Sequence, residues 1–255
     1  MISHEHKCIF IHISKCAGTS IEKAFGLKTR ELNYDILYGW CPKNRLYLQH
    51  ATPQQLLDLG YIDREIWDSY YKFVIVRNPW DRAYSDYLWS INNEDIYDSF
   101  SNFIQGKGKF TASFSTDKDF NIADHLYTQY DYFFLNGKEI KYDKIIRFED
   151  IKNGLSELAT VLSMAPDAFK KRENVNKKRF RHYSVFYTGA RKRWVDTLYA
   201  ADIELLDYSF EDKRKFGDGI ITWNLVLFHP NASKYFLLKY PKLGRFLLAI
   251  KKIFG

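Results

Sequence analysis

The sequence contains few residues that crosslink or interrupt a chain. Its 255 residues include 3 cysteines, 6 prolines and 13 glycines. An odd number of cysteines without a C-x-x-C spacing fits neither a disulfide framework nor a cysteine-based zinc site. So few prolines and glycines also argue against long flexible linkers. We therefore expect reduced thiols and one main folded domain.

Long apolar runs are missing as well. No stretch of 18 apolar residues occurs, so no membrane span is predicted. The start, MISHEHKCIF, lacks the basic and then apolar pattern of a secretory signal, which favours a cytoplasmic protein. The sequence has no cluster of histidine, cysteine and aspartate residues at the spacing of metal ligands, so no metal is expected.

Apolar and basic residues are abundant. Hydrophobic residues make up 46% of the chain and aromatic residues 18%, which is ample for a core. The formal net charge is +7 and the pI is near 9.0. Such a charge favours an anionic partner: a nucleotide, a nucleic acid, an anionic polysaccharide or a membrane surface.

Predicted strands and helices alternate along the chain. Strands are predicted at 7–13, 72–76 and 142–150, and each is followed by a helix. Shorter helices are predicted at 52–60, with Thr52 as N-cap, and at about 191–208. This alternation predicts an α/β fold that is P-loop-like and three-layered, with a central parallel sheet flanked by helices.

The stretch FIHISKCAGTS joins the first strand to its helix, and we call its residues 12–20 the first loop. Lys15 precedes Gly18, Thr19 and Ser20, so the triphosphatase pattern GxxxxGK[ST] is absent. Thr19 and Glu22 have capping-box spacing. A turn that enters a helix presents backbone N–H groups to an anion, and the lysine and the hydroxyls add donors.

A second turn of this kind follows in FVIVRNPWDRAYSDY. Arg77 stands where the strand ends, and Ser85 comes eight residues later on the following helix. An arginine fork with a hydroxyl suits a phosphate monoester. Ligands of open α/β sheets lie at the carboxyl ends of strands, so the two turns predict one ligand with two separate phosphates.

These two stretches resemble the sulfotransferases that use 3′-phosphoadenosine 5′-phosphosulfate (PAPS). The resemblance continues in HLYTQYDYF (125–133), IIRFEDI (145–151) and YTGARKRWVDTLYAADIELLDYSF (187–210), and it covers residues 8–212. It is nearest to the carbohydrate branch, such as the heparan sulfate 2-O type. Two departures are Ser14, where the family usually has proline, and Cys16-Ala17, which replace Thr-Gly or Thr-Ala.

The resemblance implies how the donor is held. The first loop would bind the 5′-phosphosulfate, and the second turn would bind the 3′-phosphate. The residues implied in donor binding are Lys15, Cys16, Ala17, Gly18, Thr19, Ser20, Arg77, Ser85 and Arg181.

Two residues are predicted to be catalytic. Lys15 would stabilise the departing phosphate, and His50, in YLQHATPQQL, would be the base because the pKa of histidine is near working pH. His12 is interpreted as a packed neighbour, and His125 as either substrate-side or structural. Arg147 and Glu149 of RFED are predicted to form internal ion pairs.

The boundary of the sulfotransferase domain is predicted at residue 216. The rest, 217–255, is apolar and basic, and is predicted to be helical, either packing on the protein or lying at a membrane interface. The basic stretch 170–181, with Lys177, Arg179 and Arg181, would cover the adenosine phosphates or meet an acidic acceptor. Peripheral contact of this tail with a membrane is one of the two alternatives.

The predicted function is transfer of a sulfuryl group from PAPS to a hydroxyl of a carbohydrate or glycolipid. A small alcohol or phenol is the alternative acceptor. A nucleotide-dependent kinase is a further alternative, although no Mg²⁺-binding carboxylate follows a strand. A basic nucleic-acid-binding protein is another, but no RRM, KH or zinc pattern occurs, so no nucleic acid is expected as a partner.

Overall fold

The computed structural model describes residues 1–27, 31–93, 96, 98–114, 123–169, 182–216 and 218. The predicted lid at 170–181, with Arg181, and the tail beyond Asp218 lie outside the described residues. The strands are β1 (Ile2–Ser3), β2 (Cys8–Ile11), β3 (Trp40–Cys41), β4 (Leu46–Tyr47), β5 (Tyr71–Val76), β6 (Phe134–Leu135), β7 (Lys138–Glu139) and β8 (Lys144–Arg147). The α-helices are α1 (Gly18–Ala24), α2 (Pro53–Asp58), α3 (Arg64–Ser69), α4 (Pro79–Asn93), α5 (Phe100–Ile104), α6 (Ile151–Val161), α7 (Gly189–Leu198) and α8 (Ala200–Leu205).

The described residues form two compact units. Of the described residues, the sheet unit comprises those within 1–78, 113–169 and 201–207, and the helical unit comprises those within 79–112, 182–200 and 208–218. Each unit has its own buried core.

A four-stranded sheet with the order β1-β2-β5-β8 forms the centre of the sheet unit. β5 pairs in parallel with β2 on one side and with β8 on the other. All four residues of β2 and the last four of β5 are buried, as expected for parallel strands with both faces covered. The predicted α/β fold, a central and mostly parallel sheet flanked by helices, is therefore confirmed. Its P-loop-like detail and three layers stay predictions.

The sheet differs from the prediction at one edge. β1 pairs antiparallel with β2, through Ile2 opposite Ile9 and Ser3 opposite Cys8. A strand of two residues gives no periodicity to detect, so the sequence did not predict it.

Several predicted elements are shorter in the structure. The first strand stops at Ile11, and the third covers Lys144–Arg147 before the 3-10 turn Phe148–Asp150 begins. The predicted helix at 191–208 is two helices, α7 and α8, that are separated at Tyr199. Fraying and local turns shift such boundaries by a few residues.

The two predicted N-caps have different outcomes. Thr52 caps α2 as predicted, because its side chain accepts from the amide of Gln55 and the Gln55 side chain completes a capping box. The capping box at Thr19 and Glu22 is wrong. α1 begins at Gly18, its N-cap is Ala17 in the left-handed region, and the Glu22 carboxylate lies beside His12 instead.

Aromatic side chains form the core of the helical unit. The rings of Tyr84 on α4 and Phe186 are stacked at 4.6 Å, and Phe100 meets Phe186 edge to face at 5.0 Å. The buried Tyr187 donates its hydroxyl to the carbonyl of Trp80 at 2.7 Å.

In the described part of the chain, no helix is both long and apolar enough to cross a membrane.

Candidate active site

The first loop makes a tight left-handed turn at the end of β2. Lys15 has φ 66° and Ala17 has φ 65°, and the amide of Cys16 donates to the carbonyl of Ile13 at 3.2 Å. Left-handed geometry is uncommon for residues with a side chain, so the surroundings must hold it in place. Turns of this kind gather backbone N–H groups into a concavity that suits an anion. α1 then begins at Gly18, so the start of the helix directly follows the turn, and the amide of Ser20 donates to the carbonyl of Ala17 at 3.1 Å.

Gly18 is required by its contact with His12. A Cβ built on Gly18 would lie 1.7 Å from Nε2 of His12, which is far inside van der Waals contact. The imidazole of His12 therefore lies directly against the start of α1. His12 follows the last residue of β2 and is buried, which agrees with its interpretation as a packed neighbour.

Arg77 connects the end of β5 to the first loop. Its Nη1 donates to the carbonyl oxygen of Lys15 at 2.8 Å, and its guanidinium lies over the ring of Phe148 at 4.1 Å. Only 3% of Arg77 is exposed. Arg77 is predicted to hold the 3′-phosphate. It also supports the backbone of the first loop, which is predicted to hold the 5′-phosphosulfate.

Gln129 is a site residue that the sequence did not single out. Its Oε1 accepts from the amide of Arg77 at 2.9 Å, and its Nε2 donates to the carbonyl of Arg77 at 2.8 Å. The thiol of Cys16 also faces Oε1, at 3.9 Å. The carboxylate of Asp202 accepts a hydrogen bond from the backbone N–H of Gln129 at 3.0 Å. Gln129 is fully buried and joins both predicted phosphate turns, and the motif HLYTQYDYF was the one signal that contained it.

Arg147 and Glu149 of RFED, which are predicted to form internal ion pairs, both bond to backbone groups. Arg147 donates Nη2 to the carbonyl of Leu206 at 2.7 Å, and Glu149 accepts from the amide of Asn78 at 2.8 Å. Both side chains therefore hold backbone groups, one of them directly after Arg77.

His50 ends the 3-10 turn Leu48–His50 and lies beside the first loop. Its Nδ1 is 3.1 Å from the carbonyl oxygen of His12, and the two imidazole rings are 4.3 Å apart. A carbonyl can only accept, so Nδ1 carries the proton and Nε2 keeps its lone pair. The hydroxyl of Tyr132 donates to the carbonyl of His50 at 2.9 Å and fixes the backbone there.

The surroundings of His50 keep it neutral. Burial, followed by the neighbouring charge of His12, lowers the pKa of His50 to about 3, and the carboxylate of Asp124 opposes that shift. The base predicted from the sequence is therefore unprotonated at neutral pH. A neutral imidazole with a fixed tautomer is the form that a general base requires.

Glu22 anchors His12 from the other side. Nδ1 of His12 and Oε1 of Glu22 are 2.9 Å apart, and the hydroxyl of Tyr38 donates to Oε2 at 3.3 Å. Burial alone would raise the pKa of Glu22, but its bonds to His12 and Tyr38 lower it overall. The carboxylate is thus held as an anion next to the loop.

Asp124 and His125 complete the group. Oδ2 of Asp124 is 3.8 Å from Nε2 of His50 and 3.9 Å from Nε2 of His125, and His125 is buried. We call these five residues, His12, Glu22, His50, Asp124 and His125, the histidine cluster. Within the described ranges, no group of three or more histidine, cysteine, aspartate or glutamate residues is arranged to hold a metal ion.

Comparison with protein families agrees with this geometry. The family model described as "Sulfotransferase family" matches residues 1–209. This chain belongs to the sulfotransferase family. Comparison with curated proteins and with solved structures gave no match. The predicted enzyme class, a transferase acting on sulfuryl groups, is confirmed at the level of the family.

The other residues that are predicted to bind the donor differ in how far they are buried in this sulfotransferase. Cys16 and Gly18 are buried, and the remaining loop residues, Lys15, Ala17, Thr19 and Ser20, are half-buried. Ser85 is half-buried on α4 and belongs to the helical unit, whereas Arg77 belongs to the sheet unit, so their pairing around one phosphate stays a prediction. The structure brings the first loop, Arg77 and His50 together within the sheet unit.

Proposed function

We propose that this sulfotransferase moves the sulfuryl group of PAPS to a hydroxyl of a carbohydrate or glycolipid acceptor. One observation carries the proposal: a neutral histidine with a free lone pair lies beside a left-handed turn that enters a helix. His12 joins the two, because its carbonyl fixes His50 and its ring packs on Gly18. A base next to an anion-binding loop is the arrangement that sulfuryl transfer to a hydroxyl requires.

The residues of the first loop and of the turn after β5 fit the donor. PAPS supplies the sulfuryl group and a phosphate leaving group when it is bound. The N–H groups of the first turn of α1, with the hydroxyls of Thr19 and Ser20, would hold its 5′ end, and Arg77 with Ser85 would hold its 3′-phosphate. All these groups are donors or cations, so they complement an anion of high charge.

Two side chains of the sheet unit have the chemistry for the transfer itself. Nε2 of His50 would accept the proton of the acceptor hydroxyl, while its Nδ1–H stays bonded to His12 and preserves the tautomer. The ammonium of Lys15 would neutralise the charge that develops on the leaving oxygen. The carbonyl of Lys15 is held by Arg77, which fixes the point from which that side chain starts.

Aromatic rings next to His50 support an acceptor that contains a ring. Trp40 on β3 and Tyr47 on β4 are directly paired, with ring centroids 5.1 Å apart, and Tyr47 meets the ring of His50 edge to face at 6.4 Å. Half-buried aromatic rings offer apolar surface with polar edges, which suits the faces of sugar rings. A phenol would also pack there, so phenols belong in the acceptor screen beside glycosides.

Calorimetric titration with 3′,5′-diphosphoadenosine, in parallel with ATP, AMP and GTP and with and without Mg²⁺, tests the donor. We expect the bisphosphate to bind most tightly, and independently of metal. Labelled PAPS with methyl glycosides, glycolipids and phenols then identifies the acceptor. A preference for ATP with Mg²⁺ would instead indicate phosphoryl transfer and would overturn the proposal.

A further inference from the structure

Asp124 carries a buried carboxylate oxygen whose negative charge lies next to the base. The side chain is 10% exposed, and within the described part of the chain its Oδ2 has no hydrogen-bond partner. The atoms nearest to it in the cluster are the Nε2 atoms of His50, at 3.8 Å, and of His125, at 3.9 Å. These distances are too long for hydrogen bonds but short enough for strong electrostatic interaction.

A carboxylate in this position is costly in the resting protein. Burying an acceptor without a partner costs free energy, and burying a charge without one costs more. His50 cannot relieve that cost while it is neutral, because Nδ1 carries its proton and Nε2 has only a lone pair. The cost is relieved when a proton arrives on Nε2 of His50, because the imidazolium then places a positive charge 3.8 Å from Oδ2.

We propose that Asp124 is a positioning residue for His50, with its carboxylate as the counter-charge for the imidazolium that forms during transfer. This inference rests on the proposed function. As the acceptor oxygen bonds to sulfur, its proton passes to Nε2 of His50, and the bond between sulfur and the bridging phosphate oxygen breaks with its electron pair on the phosphate. Asp124 faces a neutral ring in the resting state and a positive charge in the charged state, so it favours the transition state selectively.

The other charged groups around His50 leave this role to Asp124. Glu22 is already paired with His12 and bonded to Tyr38. His12 acts against a positive charge on His50, and so does His125, whereas Asp124 favours that charge. Asp124 is therefore the carboxylate of the cluster that faces Nε2 of the base.

A double-mutant cycle tests the proposal on the full-length chain. Asp124→Asn, His50→Gln and the double variant are compared in transfer of labelled sulfate from PAPS to methyl glucoside, to phenol and to water. We expect Asp124→Asn to lower kcat by about 10-fold or more and to leave the affinity for 3′,5′-diphosphoadenosine unchanged. In the His50→Gln background it should cause no further loss, because it acts through His50.

Transfer rates to acceptors of different acidity give a second test. Phenol has a pKa near 10, as tyrosine has, so it needs a base less than a sugar hydroxyl does. Asp124→Asn should therefore slow transfer to methyl glucoside more than transfer to phenol. Asp35→Asn removes the same charge at an exposed position and should leave all rates at the wild-type level.

The outcomes separate the two proposals. Additive losses in the cycle, equal losses with both acceptors, or a matching fall in nucleotide affinity would overturn the role of Asp124 while sulfuryl transfer by the wild type stands. A wild-type protein that binds no bisphosphate and releases no labelled sulfate would overturn the proposed function itself. A thermal unfolding midpoint near that of wild type shows that Asp124→Asn still folds.

Discussion

Nη1 of Arg77 and the carbonyl oxygen of Lys15 are 2.8 Å apart, which joins the residue after β5 to the left-handed turn after β2. Two parallel strands that are neighbours in the sheet thus end in turns that are bonded to each other. The position of the lysine predicted to act on the leaving group therefore depends on the arginine predicted to hold the 3′-phosphate. Substitutions at these positions should separate support of the loop from binding of the donor.

Arg77→Lys keeps the positive charge but removes the planar fork. A single ammonium cannot both bond the Lys15 carbonyl and stack on Phe148, so the free energy of unfolding should fall by about 1–3 kcal/mol. Affinity for 3′,5′-diphosphoadenosine should fall more than affinity for adenosine 5′-phosphosulfate, as measured by calorimetry. Equal losses for both ligands would show that Arg77 supports the loop without contacting the 3′-phosphate. Arg64→Lys, at an exposed arginine on α3, is the control and should change stability by less than about 0.5 kcal/mol.

Lys15→Ala and His50→Gln should each lower kcat by about 100-fold or more, for different reasons. Loss of Lys15 removes a cation from the donor site, so affinity for 3′,5′-diphosphoadenosine should fall as well. Loss of His50 removes the base and should leave that affinity near the wild-type value. Single-turnover rates and calorimetry measure the two effects, and Lys43→Ala, at an exposed lysine, is the control. Near-normal turnover of His50→Gln would contradict its role as base.

Gly18→Ala should disturb the histidine cluster through His12. The new Cβ would lie 1.7 Å from Nε2 of His12, so the imidazole must move away from Glu22 or from His50. We expect a loss of about 1–3 kcal/mol in the free energy of unfolding, together with slower turnover. Gly189→Ala is the matched control, because its Cβ would come no closer than 3.6 Å to an atom of Arg193. Urea unfolding compares the two variants, and equal stability would contradict the packing described for His12.

Burial of neutral His50 should make stability depend on pH. Its pKa is about 3 in the folded protein and about 6.5 when unfolded, so between these values the unfolded chain binds a proton that the folded chain does not. The contribution of His50 is therefore fully favourable above pH 6.5 and is lost as the pH falls, by at most ~1.4 kcal/mol per pH unit. His50→Gln should reduce the slope of unfolding free energy against pH between pH 4 and 6.5. Urea unfolding at several pH values measures this, and an unchanged slope would contradict the burial of a neutral ring.

Local patterns in the sequence predicted what local bonds determine. Thr52 and Gln55 cap α2 because both partners lie within one turn of each other. The same spacing failed at Thr19 and Glu22, because Glu22 pairs with His12, which follows β2 and lies ten positions earlier in the chain. A capping box specifies a geometry only when its carboxylate has no better hydrogen-bond donor nearby.

The missed parts of the site depend on contacts between distant segments. Gln129 bonds the backbone of Arg77, which lies 52 positions earlier, and a glutamine in a polar motif carries no periodicity that would reveal this. Asp124 was missed for a similar reason, since its proximity to His50 follows from the folding of the sheet unit. His50 itself was predicted from the chemistry of histidine together with a family resemblance, and its neighbours were not.

The thiol of Cys16 is fully buried in the turn between β2 and α1, against Gln129. An alkylating reagent can therefore reach this sulfur only when the turn opens, so the rate of its modification reports how often that happens. Mass spectrometry can follow Cys16 apart from Cys8 and Cys41, which are buried elsewhere in the sheet unit. The chain thus carries a natural reporter of the motion of its own first loop, without any substitution.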